Sequence, residues 1–337
     1  MNLSCEPNVG LFESLDFYSF CLHLTTLIST PIHIFGMYCL LWKTPIQMSS
    51  VKWYLVTMHV WIMYFDYTWG LLVVPFFLFP AVAMYPLGVL SYIGIPAVLQ
   101  VILFILAMTY INISTTSIFE NRFYTLCMFS WKHNWTVCRR PWLAFNYIIV
   151  TIAMIPLGLS VPDQISSRKR VFETLPCQPR YIYEAPVFVL ANDYTIHIVF
   201  VLAFVFFITI QIFIFLVFLV WNTVQQVKSK TMSSKTFEMQ KKFFLTFVIQ
   251  MEVPLFLFLT PLIYVLISAT RNYYNQSATN IAVITASTNG IVSTLVMVFI
   301  HRSYREVVFA LFRRSRIAEV SQIRVATPRS AITIVTT

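Results

Sequence analysis

Two carboxylic acids stand inside long apolar stretches of this sequence. Asp66 lies in a run that begins at Trp53, and Glu252 stands two residues before Pro254 in another run. An ionised acid at the centre of a membrane costs about 2.5 to 3.5 kcal/mol on insertion scales, so each acid needs polar partners inside the protein. Asp66 therefore marks either a functional site or a hydrogen bond that only joins helices.

The partners that depth suggests for Asp66 are Asn112, Ser114 and Asn289. Such a group can hold a sodium ion, or a water network that rearranges on activation. Glu252 is either part of a hinge or pocket floor, or a bundle-facing acid bonded to Gln250 or to a carbonyl freed by the proline. The histidines are too scattered for a metal site, and no other metal or cofactor site is expected.

The amino-acid composition indicates whether these apolar stretches lie in water or in lipid. The 337 residues are 58% hydrophobic and 11% charged, whereas soluble domains carry about 25% charged residues. Lipid is therefore expected around the chain. The net charge of +10 is divided among short loops, which favours an anionic membrane surface over nucleic acid as the partner.

Seven runs of about twenty apolar residues predict an all-α bundle of seven transmembrane helices. The runs cover 17–42, 53–79, 91–119, 141–161, 194–221, 243–269 and 277–300. They predict one domain, 1–316, followed by a flexible tail, 317–337. The first run lacks a preceding basic region, so it reads as a retained anchor rather than a cleaved signal.

Basic residues give the orientation. Of the 23 Lys and Arg residues, 18 lie in the first, third and fifth loops and in the C-terminal tail. Because basic loops stay in the cytoplasm, we expect the N-terminus outside and the C-terminus inside. Tyr304, Val307, Val308 and Leu311 follow helical spacing beside several arginines, which predicts an amphipathic eighth helix, 303–316, at the inner surface.

On the outer side, the long loop 162–193 is the natural lid over a cavity. Topology puts only Cys5 and Cys177 in the oxidising space, so a disulfide between them is predicted, with two unpaired thiols as the alternative. Asn2 is the better of two outward-facing glycosylation sequons, because Asn275 lies close to the membrane.

On the inner side, Glu120 and Arg122 stand where the third run ends. They are either a charge lock that opens for a partner protein or an ordinary basic anchor. Lys241 and Lys242 belong to a basic loop that suits an acidic partner or lipid headgroups.

The sequence contains no H-E-x-x-H, G-x-S-x-G or Walker motif, so no enzyme activity is expected. No Lys lies inside a run, which excludes a retinal Schiff base. A ligand would sit among the outer halves of spans three, five, six and seven. By depth alone, the candidate ligand contacts are Gln100, Phe104, His197, Phe200, Tyr264 and Thr285.

Several stretches resemble the nematode serpentine chemoreceptors of class H (Srh), a rhodopsin-like group. They are P-I-H-I-F-G-M-Y-C from Pro31, K-T-P-I-Q-M-S-S-V-K from Lys43, F-E-N-R-F from Phe119, V-P-D-Q from Val161, L-P-C-Q-P from Leu175, Q-K-K-F-F from Gln240, Y-Y-N-Q from Tyr273 and N-G-I-V-S-T-L-V-M-V-F-I-H-R-S-Y-R from Asn289. The resemblance covers nearly the whole chain.

The resemblance implies a G-protein-coupled receptor of chemosensory neurons, in the plasma membrane and sensory cilia, that detects a small-molecule odorant or pheromone. Glu120 and Arg122 would then form the G-protein switch. The alternatives are a seven-helix ligand-gated cation channel subunit of opposite orientation, and an orphan scaffold or trafficking protein.

Overall fold

The computed structural model describes residues 9–193, 195–229 and 234–311 of a helical bundle. The helices are α1 Leu15–Trp42, α2 Ser49–Tyr67, α3 Val89–Tyr92, α4 Ala97–Leu126, α5 Lys132–Leu159, α6 Gln164–Thr174, α7 Arg180–Glu184, α8 Thr195–Lys228, α9 Ser234–Arg271, α10 Gln276–Ser287 and α11 Asn289–Ile300. The strands are β1 Pro75–Phe77, β2 Ala83–Pro86 and β3 Phe188–Val189.

Seven helical units are long enough to form the bundle. Within the described residues, α1, α4, α5, α8 and the pair α10 and α11 are each long and apolar enough to cross a membrane. The 19-residue α2 and the 38-residue α9 complete the set. Helix α4 packs against α2, α5 and α8 and is therefore the central helix. The predicted seven-helix architecture is confirmed.

Two predicted boundaries were wrong at the N-terminal side of α4. The second span does not run to Phe79 as a helix, because α2 passes into a π-helical turn, Thr68–Leu72, and then into β1. The third span begins at Ala97 rather than Ser91, since Pro96 caps the helix, and it continues to Leu126. Proline lacks the N–H that a helix interior needs, so it marks these boundaries.

A three-stranded antiparallel sheet covers this end of the bundle. Strand β2 pairs with β1, with Phe76 opposite Tyr85, and with β3, with Met84 opposite Phe188. The sheet joins the second loop to the predicted lid, 162–193. The all-α class is confirmed for the bundle, and this small sheet was not predicted.

The seventh span is two helices. Asn275 begins α10 by accepting the backbone N–H of Ala278 at 2.9 Å, and the helix is interrupted at Thr288 before α11. Residues 302–311 form the eighth helix, in which Tyr304 and Val308 are buried and Arg305 is exposed. The predicted amphipathic eighth helix is confirmed as far as residue 311, and the predicted tail lies outside the described residues.

Candidate functional site

A cavity of about 170 Å³ lies between the sheet and α4. It is lined by Val73, Pro75, Phe77, Phe79, Val82, Ala83, Met84, Val101, Phe104, Ile105 and Leu190. All eleven side chains are apolar, so this cavity offers a ligand no side-chain hydrogen bond. The cavity is partly open, and its apolar walls favour small hydrocarbons over polar molecules.

Aromatic packing fixes the wall of the cavity on the side of α2. The Phe104 ring lies 4.7 Å from the Trp69 ring and 5.4 Å from the Phe65 ring, measured between centroids. Trp69 and Phe65 are buried on the last turns of the second span. The pair with Trp69 is edge-to-face and the pair with Phe65 is tilted, and such aromatic pairs are favourable, so Phe104 is held in place.

Two glutamines attach the sheet to the helices. Gln164 binds β3 as another strand would, because its amide donates to the Val189 carbonyl at 3.0 Å and its oxygen accepts the Val189 N–H at 3.0 Å. Gln276 donates to the Phe77 carbonyl of β1 at 3.0 Å. Asp163, next to Gln164, caps the N-terminus of α6. Its carboxylate accepts a hydrogen bond from the Ser166 backbone N–H, and this bond lowers the pKa of the Asp163 carboxyl.

The backbone is strained beside the cavity. Val74 has a φ of 45°, in the left-handed region that a β-branched residue rarely adopts, and it is fully buried. Its neighbours Val73 and Pro75 line the cavity. Strain of this kind persists only where the surroundings hold it, and it concentrates at binding sites.

A buried polar network joins α1, α2 and α11 in the middle of the bundle. His33 Nε2 lies 2.9 Å from Asp66 Oδ2, and His33 Nδ1 lies 3.0 Å from the Thr294 hydroxyl. A Cβ on Gly290 would stand only 2.0 Å from Asp66 Oδ2. The carboxylate therefore occupies the space that this glycine leaves.

A second ionic group lies at the opposite end of the bundle from the sheet. Arg139 of α5 donates to Glu120 of α4 at 2.9 Å, to Asn121 at 3.2 Å and to Tyr54 of α2 at 3.1 Å. Trp135 donates to the other Glu120 oxygen at 2.8 Å. These bonds tie three helices together at this end.

Sequence comparison identifies the family. The family model described as "Serpentine type 7TM GPCR chemoreceptor Srh" matches residues 13–314. The chain belongs to this Srh family. The predicted resemblance is confirmed, and the family is one of receptors rather than enzymes.

Two similar proteins agree with this result. The chain is 23% identical to "Serpentine receptor class H-72" of Caenorhabditis elegans, over 93% of this chain and 90% of that one. The crystal structure of squid rhodopsin superposes with a TM-score of 0.55 at 11% identity, covering 92% of this chain and 88% of rhodopsin. The Srh receptor therefore has a rhodopsin-like fold.

The six candidate ligand contacts do not share one cavity in this Srh receptor. Phe104 lines the apolar cavity, whereas Gln100 bonds the turn before α4, at 2.8 Å to the Ile95 carbonyl. Tyr264 joins α9 to α10, and Thr285 bonds back to its own helix. His197 has two buried ring nitrogens without a hydrogen bond to any described residue, and Phe200 packs with α4 and α5.

Two of the three partners suggested for Asp66 bond elsewhere, and the third makes no direct bond to it. Asn112 donates to the Met108 carbonyl at 2.9 Å, because a helical amide readily bonds one turn back, and Ser114 bonds Tyr147 at 3.0 Å. Asn289 does not bond Asp66, although Oδ1 of each is buried without a partner in the described part of the chain. Glu252 is exposed on α9, apart from this network.

Glu120 does not pair with Arg122, contrary to the expectation. Both lie inside α4, which continues to Leu126, and Glu120 is directed to Arg139 instead. Arg122 is buried. Lys241 is exposed on α9, and the Lys242 side chain lies outside the described residues.

The disulfide and glycosylation predictions fall partly outside the described residues. Cys177 is disulfide-bonded, while Cys21, Cys39, Cys127 and Cys138 are free. Cys5 and Asn2 lie outside the described residues, so the pairing and the glycan stay predictions. Within the described ranges, no group of three His, Cys, Asp or Glu side chains is placed to hold a metal.

Sequence reasoning missed three parts of these sites. His33 was included among the histidines that are too scattered for a metal site, Arg139 was counted only among the 23 basic residues, and the stretch 73–86 was assigned to the second span and the loop after it. Proline spacing was the available signal for the sheet, because Pro75, Pro80 and Pro86 interrupt an apolar stretch within twelve residues. Nothing in the sequence paired His33 with Asp66.

Proposed function

We propose that this Srh receptor detects a small, uncharged, apolar molecule in the cavity beneath the sheet. The observation that carries the proposal is the cavity lining, which is apolar at all eleven positions. A charged or strongly polar ligand would lose its water without gaining a partner there, at a cost of several kcal/mol. A hydrocarbon-like odorant has no hydrogen bonds to water to lose, and its binding is favoured by about 0.8 kcal/mol of free energy per buried CH₂ group.

The cavity also limits ligand size. Its volume of about 170 Å³ is close to that of a roughly 150 Å³ engineered apolar cavity that binds benzene. We therefore propose ligands of about six to ten carbon atoms, such as short alkylbenzenes. Binding stabilises the sheet against α4, and any conformation that favours this packing is then more populated.

The proposed output is activation of a heterotrimeric G protein at the opposite end of the bundle. Supporting features are the exposed Lys241 on α9 and the Glu120–Arg139 group, which joins α4 to α5 there. The location proposed for the receptor is the plasma membrane of chemosensory cilia, with the N-terminus outside. An antibody to a C-terminal tag that stains intact cells would contradict this orientation.

The experiment is a dose-response series in cells that carry a promiscuous G protein, with benzene, toluene and longer alkylbenzenes as ligands. Val101→Phe fills the cavity and is expected to raise the half-maximal concentration at least tenfold, because a ring of that size leaves little room. Met84→Ala enlarges the cavity and is expected to move the preferred ligand towards longer chains.

The matched control is Val205→Phe, the same substitution at an exposed position of α8, and no change is expected. Surface expression is measured for each variant. If wild-type receptor answers only polar ligands, or if Val101→Phe at equal surface expression responds as wild type does, the proposed ligand class is wrong. A G-protein-independent current would contradict the coupling.

We further propose that a sodium ion or a water lies at Asp66. The supporting feature is the pair of buried oxygens, Asp66 Oδ1 and Asn289 Oδ1, which lack a donor among the described residues. Asp66→Asn is expected to abolish any sodium dependence of the response. Unchanged ligand response and sodium sensitivity in this variant would contradict the proposal.

A further inference from the structure

A second cavity lies at the end of the bundle away from the sheet, between the N-terminal parts of α2 and of α5. Its volume is about 420 Å³, and it is open on one side, since Thr136, Val137 and Arg140 are exposed. It is lined by Tyr54, Thr136, Val137, Arg139 and Arg140. Neither the apolar cavity nor the Asp66 network shares a residue with it.

The polar atoms left free in this cavity are all donors. Arg139 uses only Nη2 for its bonds to Glu120, Asn121 and Tyr54, so Nη1 and Nε remain. Arg140 is exposed and makes no ion pair or hydrogen bond within the described ranges. Tyr54 accepts from Arg139 and keeps its own O–H to donate.

Acceptors in the cavity are already used. The Thr136 hydroxyl donates to the Lys132 carbonyl at 2.8 Å and bonds the Tyr124 hydroxyl at 3.0 Å. Glu120 is bonded by Trp135 and Arg139 and does not line the cavity. A donor-only site with two guanidinium groups suits an anion with several oxygens, because arginine binds phosphate in a bidentate manner.

Arg139 is ordered before any ligand arrives. Besides its three hydrogen bonds, its guanidinium lies 3.9 Å from the centre of the Tyr124 ring. A side chain held in this way loses little further freedom on binding, so more of the interaction contributes to affinity.

The rim of the cavity is apolar and exposed. Val137 is 68% exposed, and Trp53, next to Tyr54, is 66% exposed. The Lys52 ammonium lies 5.7 Å from the centre of the Trp53 ring. Tryptophan and basic residues side by side are typical of the membrane interface, where acyl chains meet headgroups. This setting favours a lipid over a free anion.

We propose that this cavity binds the phosphomonoester headgroup of an inner-leaflet lipid. Arg140 and Nη1 of Arg139 hold the phosphate, Tyr54 donates a further hydrogen bond, and Val137 contacts the acyl chain. The inference rests on the predicted orientation of the chain and does not depend on the apolar ligand, although it shares Arg139 with the group that supports the proposed G-protein coupling.

The test uses the full-length receptor in nanodiscs of phosphatidylcholine that contain labelled phosphatidic acid, the lipid whose phosphomonoester lies next to its acyl chains, with energy transfer as the readout. Saturable binding to wild type is expected. Arg140→Gln is expected to weaken it about tenfold, the loss of one charge-assisted contact. Tyr54→Phe, which removes one neutral donor, is expected to weaken it by a smaller factor.

The matched control is Arg302→Gln, because Arg302 is an exposed arginine of the eighth helix at the same end of the bundle, paired with Glu306 at 2.8 Å. For this control, the affinity for the labelled lipid is expected to change less than twofold. Equal losses in Arg140→Gln and Arg302→Gln would overturn the proposal, since general charge attraction would explain both. Competition by soluble glycerol 3-phosphate with the affinity of the lipid would overturn the lipid assignment.

Discussion

Gly290→Ala is expected to lower the melting temperature of the purified receptor by about 5 to 10 °C, which corresponds to roughly 3 kcal/mol. The added Cβ would lie 2.0 Å from Asp66 Oδ2 and 2.3 Å from Oδ1. The short, buried Asp66 side chain must rotate away and lose His33, its 2.9 Å partner. Thermal unfolding monitored by tryptophan fluorescence measures the change.

Two further variants separate this mechanism from a general effect of the substitution. Gly158→Ala places a Cβ in α5 with only the flexible Ile102 side chain nearby, at 3.3 Å, and little change is expected. In an Asp66→Ala background the clash is absent, so Gly290→Ala should cost almost nothing there. If Gly290→Ala is equally harmful with and without Asp66, the carboxylate does not occupy the space left by Gly290.

A double-mutant cycle between Glu120 and Arg139 is expected to give a coupling energy of about 2 kcal/mol. The Glu120 side chain is 3% exposed and that of Arg139 is 16% exposed, so removing either leaves a poorly hydrated charge. Glu120→Gln, Arg139→Gln and the double variant are compared with wild type by their free energies of unfolding.

The corresponding exposed pair, Arg302 and Glu306, serves as the control, and its coupling is expected to stay below about 0.5 kcal/mol. A double-mutant cycle between Glu120 and Arg122 is expected to give a smaller coupling energy than the cycle between Glu120 and Arg139. A larger coupling with Arg122 would contradict the pairing across α4 and α5 and would restore the lock predicted from the sequence.

Hydropathy and basic loops were sufficient to predict the bundle, because lipid demands long apolar helices whatever they contact. The partner of Asp66 was beyond that reasoning. His33 lies nine residues before the end of α1 and Asp66 seventeen after the start of α2. This difference of eight residues is about 12 Å of depth in ideal, parallel helices. The two side chains nevertheless meet at 2.9 Å, so equal distances from the helix ends do not mark equal depths, and a hydropathy pattern does not show this.

The stretch after Tyr67 was ambiguous for a different reason. Apolar residues from Leu71 to Phe79 fit a buried strand as well as a helix, since a short apolar run has no periodicity that separates them. Strand β1 in this stretch pairs with β2, and the other edge of β2 pairs with Phe188 and Val189, more than a hundred residues later. The cavity exists only because these distant segments meet, so its lining was not predictable from either one.

The attachment of the sheet has a consequence for how such receptors diverge. Gln164 and Gln276 hold the strands through backbone atoms, and neither glutamine lines the cavity. Exchanges at Val82, Met84 or Leu190 therefore change the shape offered to a ligand while leaving the attachment intact. If the cavity holds the ligand as proposed, one or two such exchanges in a duplicated gene change the ligand preference without first losing a folded product.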